Sequence, residues 1–248
     1  MTPTTARPAR SVRPPTATRP RPATLRHVIA WLMGHHLRFV GWAVAVLVVG
    51  VVVGTILVER ISQVELSIVQ FGRQGFVWFP FAIAIGLATA YVPVHVAAGM
   101  TRRVMARASL LAGVLTGLTY AVVMTVALQA ERAVYGAFGW PQRITDAAPL
   151  FEDTSQVGLI LLDLSLLFVA AQLSGLLVGA VYYRFGGWRG TFALPLTVGP
   201  ILAVPTLLTG GWWDLGLPVR ALLAVGVLAL CATAYAVVLQ GARIRPAT

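Results

Sequence analysis

The chain contains no lysine; all 19 of its basic residues are arginine. A phosphate-binding loop of the Gly-x-x-x-x-Gly-Lys-Ser/Thr type needs its lysine to reach the outer phosphates, so this chain does not bind and hydrolyse ATP by that route. Cysteine occurs once, at Cys231 within an apolar run, which excludes an internal disulfide framework or a cysteine-based metal centre in one chain. A His-Glu-x-x-His zinc pair and a Gly-x-Ser-x-Gly nucleophile elbow are both missing. Acids number only eight, and charged residues make up 11% of the chain, against about a quarter in soluble domains. No catalytic constellation survives this scarcity, so neither an enzyme nor a cofactor is expected.

What fills the chain is apolar: 58% of it is hydrophobic and the mean hydropathy is +0.81. Apolar runs of about twenty residues recur, each long enough to cross the ~30 Å hydrocarbon core as a helix. The short alternating segments of a membrane barrel do not occur. The fold class is therefore all-α: a polytopic helical membrane protein with six transmembrane helices. The net charge of +11 does not point to nucleic acid, because the arginines lie in a tail and in loops between apolar runs.

Taken in order, residues 1–23 are rich in Pro and Arg and read as a disordered cytoplasmic tail with anionic lipid headgroups as partners. Residues 24–36 place Leu25, Val28, Ile29 and Leu32 at helical spacing, with Trp31 beside them and Arg26, His27, His35 and His36 at the flanks. That pattern predicts an amphipathic interfacial helix along the inner leaflet, its histidines touching headgroups. Residues 37–240 form the six-helix domain, with spans near 37–58, 76–96, 108–128, 157–181, 191–209 and 219–239, and 241–248 form a short cytoplasmic tail. The fifth span holds Pro195, Pro200 and Pro205 and is expected to be kinked or partly broken. Residues 59–75 read as an amphipathic connector and 129–156 as the longest outer loop, with Glu131, Asp146, Glu152 and Asp153.

Arg102, Arg103 and Arg107 orient the whole. An arginine at the centre of a spanning helix costs about 2.5–3.5 kcal/mol on insertion scales, and cytoplasmic loops are the arginine-rich ones. With both termini cytoplasmic, fourteen arginines fall inside and five (Arg60, Arg73, Arg132, Arg143 and Arg220) outside. Seven of the eight acids also fall outside, a segregation that the arginine count does not require.

The eighth acid, Asp163, lies about 9 Å into the fourth span at 1.5 Å per residue. An ionisable residue at that depth is a functional candidate; the alternative is an ion pair with an outer arginine such as Arg132, Arg143 or Arg220. Gln172 and Ser174 lie deeper on the same span, where they line a polar path or hydrogen-bond across helices. Glycines four apart (Gly50 and Gly54, Gly113 and Gly117, Gly175 and Gly179) mark faces where helices approach closely. His95, near the inner end of the second span, reads as a capping or headgroup contact.

An inner-leaflet helix, six spans and Gly-x-Thr-Arg-Arg directly after the second span together resemble the permease subunits of ABC-2 type exporters. The matching residues are Gly99, Thr101, Arg102 and Arg103, with Arg107 one turn on. The resemblance implies that this segment couples to a separate cytoplasmic ABC ATPase subunit, and that Tyr183-Arg-Phe-Gly-Gly-Trp188, with Arg184 and Arg189, makes a second cytoplasmic contact. It further implies a homo- or heterodimer of permease subunits in a cell membrane, the inner membrane of a bacterium. The chain departs from many members in its short turn of about nine residues between the fifth and sixth spans, where they carry a re-entrant hairpin. The reading from another class is a membrane anchor or sensor that transports nothing.

Overall fold

The computed structural model describes residues 25–97, 99–145, 150–210 and 215–241, without the side chains of Pro93, Val96 and Ala97. The tail at 1–23, Asp146, Asp214, Arg243 and Arg245 lie outside the described residues. Among those residues the regular structure is helical, apart from one isolated bridge between Leu66 and Arg143. Six helical stretches are long and apolar enough to cross a membrane, and the chain is a multi-pass membrane protein.

Helix α1 (Leu25–Ile61) runs for 37 residues without a break, about 55 Å at 1.5 Å per residue. It contains no proline, and nothing in it stops a helix. The stretch read as a separate interfacial helix is thus the first three turns of α1. Val28, Leu32, His36 and Val40, spaced one turn apart, form its buried face. His36 is among them, so its ring is turned into protein, away from the headgroup contact expected of it.

The second span begins with a single 3-10 turn at Val69–Phe71 and continues as α2 (Gly72–Gly86), a π-helical turn at Leu87–Tyr91 and α3 (Val92–Ala97). Pro93 has no N–H to offer the carbonyl four residues back, and the widened turn just before it is how the helix accommodates that gap. Helix α4 (Arg102–Phe138) is again a single rod of 37 residues. Helix α5 (Val157–Phe185) follows, then the short α6 (Gly187–Phe192), α7 (Leu194–Thr209) and α8 (Leu217–Gln240). The fifth span is broken as expected, but the break falls at Ala193. Pro195 sits in the first turn of α7, where its missing N–H costs nothing, and Pro200 and Pro205 are carried inside a continuous helix.

Helix α5 is the axis, packed against α2, α4, α7 and α8, while α1 rests on the outside against α4. The most apolar eighteen residues of α5 are 89% buried, against 6% in α1. Small residues permit this packing. A Cβ at Gly117 would lie 2.8 Å from the backbone nitrogen of Val169 on α5, and Gly175 and Gly179 press against the α2 side at Phe81, Ala84, Ile85 and Ala88. These two glycine pairs behave as the spacing suggests. Among the described residues Gly50 faces open space and Gly54 meets only the side chain of Ile68, so the first pair marks no helix–helix contact there.

Candidate functional site

At one end of the bundle the start of α4 meets the ends of α5 and α8. The chain turns from α3 into α4 at Gly99, whose φ of +90° is a left-handed conformation that glycine alone adopts freely. Thr101 is the N-cap of α4: its hydroxyl accepts from the amide of Val104 at 3.3 Å. Arg102 leaves the positive end of its own helix and donates to the carbonyl of Gln240 at 3.2 Å. Arg184 donates to the carbonyls of Val237 and Val238 at 3.4 and 3.3 Å. The last four carbonyls of a helix lack partners within it and carry partial negative charge, so two of the five candidate arginines serve to cap α8. Arg103 and Arg107, one turn apart on α4, and Arg189 on α6 are exposed, with no side-chain hydrogen bond or ion pair among the described residues.

The intramembrane candidates separate. Asp163, fully buried, pairs with Arg73 of α2 at 2.9 Å. The outer-arginine alternative thus holds in kind, but the partner is none of the three arginines named for it. Burial of two charges is tolerated only when they are closely paired and hydrogen-bonded. Gln172 is buried on α5 beside Gly113, and neither of its amide atoms has a hydrogen-bond partner among the described residues. Nine residues along α5 is two and a half turns, so Asp163 and Gln172 project from opposite faces and do not line one path.

The opposite end holds a constellation the sequence reading did not isolate. Glu131, buried near the end of α4, takes the amides of Ile68 and Val69 on one carboxylate oxygen at 2.7 and 2.9 Å. The hydroxyl of Ser67 and, at 2.8 Å, Nε2 of Gln142 donate to the other. Those two amides open the second span, so a carboxylate from α4 caps a helix start across the bundle. Around it Ser67 N–H donates to the Arg143 carbonyl at 2.9 Å, Arg143 N–H to that of Glu65 at 3.1 Å, and Tyr135 Oη to that of Leu66 at 3.0 Å. Thr154 Oγ1 donates to Gln142 at 2.6 Å, which brings in the segment before α5. On the surface Arg132 and Arg143 reach Asp153 and Glu65 at 3.3 and 3.2 Å. The Ser155 amide on Asp153, with help from Arg132, holds that carboxyl below its ordinary pKa.

Both missed residues carried a signal. Glu131 and Tyr135 continue the buried stripe of Ala121, Met124 and Leu128, and Arg73 precedes Phe76, Val77 and Pro80 on the buried face of α2. Helical periodicity runs through these polar positions where hydropathy stops. No protein-family model, curated protein or solved structure matches this chain.

Proposed function

We propose that the chain is the transmembrane permease subunit of an ABC-type exporter, with both termini and the arginine-rich end in the cytoplasm of a bacterial cell. A separate ATPase subunit docks there on Arg103 and Arg107, and two permease subunits, alike or different, enclose the path. The observation that carries the reading is α4. It is a single 37-residue helix with two exposed arginines in its first turns and, seven turns on, the Glu131 carboxylate that holds the start of the second span. A partner pressing on Arg103 and Arg107 moves a rod whose far end is tied to α2. The path itself lies between protomers, because close contact at Gly117, Gly175 and Gly179 fills the interior of one chain.

That close packing also favours the second reading, an anchor or sensor that transports nothing. Co-purification separates the two: the exporter brings an ATPase subunit with it, and an ATPase gene lies beside its own. Replacing Arg103 and Arg107 by Glu should abolish that association while leaving the bundle folded. Docking and transport that persist in this variant would refute the coupling role.

A further inference from the structure

We propose that a cleft between α5, α7 and α8 holds one acyl chain of an anionic phospholipid, with the phosphate at Arg189. The cleft has a volume of about 620 Å³, within the ~300–1,000 Å³ range of ligand sites. Three helix faces build it: Leu177 and Val181 of α5, Gly199 and Ala203 of α7, and Val227 to Val238 of α8. Small residues on the face that α7 turns to the cleft leave the space unfilled; among the described residues nothing lies within 4 Å of where a Cβ of Gly199 would stand.

Two properties select the occupant. The eleven steps along α8 from Val227 to Val238 rise about 16.5 Å, close to half of the ~30 Å hydrocarbon thickness. The cleft therefore has the depth of one leaflet. Its lining is apolar except for Thr197, whose hydroxyl is satisfied by the Leu194 carbonyl at 3.3 Å, and Arg189 at the arginine-rich end. An uncommitted guanidinium above an apolar slot is complementary to a phosphate with a chain hanging below it. Trp188 and Phe192, 82% and 79% exposed and stacked on the same short helix, set that helix at headgroup level as interfacial aromatics do. None of this depends on an ATPase partner.

The test uses the full chain in nanodiscs of equal phosphatidylglycerol and phosphatidylcholine, extracted into mild detergent and weighed by native mass spectrometry. One retained phosphatidylglycerol is expected, at least tenfold over phosphatidylcholine. Arg189→Gln should erase the headgroup preference, and Arg189→Lys should keep most of it. Gly199→Leu, whose Cβ enters space with no atom within 4 Å among the described residues, should lose the retained lipid at an unchanged unfolding temperature. Equal retention of both lipids by the unsubstituted protein, or a retained lipid indifferent to both Arg189→Gln and Gly199→Leu, would overturn the assignment. So would disulfide linkage between two copies through Ala203→Cys in the bilayer, which would put a second chain where the lipid should be.

Discussion

The two ends of the bundle treat charge in opposite ways. Around Glu131 most charges are bound to something in the chain: one buried carboxylate takes four hydrogen bonds, and Asp163, Glu65 and Asp153 each have an arginine, while the exposed Glu59, Arg60 and Glu152 have no side-chain partner among the described residues. At the other end Arg102 and Arg184 cap α8, while Arg103, Arg107 and Arg189 reach into the surroundings. A charge used inside the fold constrains the fold; a charge left outside is available to a membrane or a partner. The contrast assigns stability to one end and interaction to the other, and substitutions can pull the two apart.

The largest effect is expected at the buried ion pair. Arg73→Ala or Asp163→Ala leaves one charge buried without its partner, a change that typically costs about 3–5 kcal/mol, and unfolding in detergent should show it. Replacing both together by apolar residues of similar size should recover much of the loss. If the double substitution is as damaging as either single one, the pair does more than hold α2 to α5, and Asp163 regains its place as a functional acid.

Glu131→Ala should come next. It removes the acceptor from two backbone amides, the Ser67 hydroxyl and the Gln142 amide, and a buried donor left without an acceptor costs about 1–3 kcal/mol. The loss should be local first: amide exchange at Ile68 and Val69 should rise before the rest of the bundle opens. Uniform loss of protection throughout the bundle would mean that Glu131 supports the whole and not the start of the second span.

The number of spans was legible in the sequence because it follows from the cost of polar groups in hydrocarbon. Helix ends were not. Hydropathy reports where lipid is, and α1 and α4, at about 55 Å, run well past ~30 Å of hydrocarbon. Their extensions carry His36 and Glu131, polar residues that hydropathy assigns to water and that the fold buries. The Asp163 depth was readable, but its partner was not. Arg73 looked like an outer-loop residue because only its position on the buried face of α2 distinguishes it from Arg132 or Arg143. Gly99 and Thr101, taken as parts of a coupling motif, have full local explanations as a left-handed turn and an N-cap.

The smallest effects discriminate most finely, because they divide one arginine cluster in two. Arg102→Ala removes a cap from the end of α8, an interaction of the kind that is worth about 0.3–1 kcal/mol. Arg103→Ala, on the next residue, removes nothing the fold uses and should leave the unfolding temperature unchanged. In a pull-down with the proposed ATPase subunit the order should reverse: Arg103→Ala should weaken capture, and Arg102→Ala should do so only to the extent that α8 frays. Side chains one position apart point about 100° away from each other on a helix, so one turns to α8 and the other to whatever lies below the membrane. If both substitutions acted alike in both assays, the arginine-rich end would be a single diffuse field, and the division between fold-bound and outward charge would fail where it is drawn most finely.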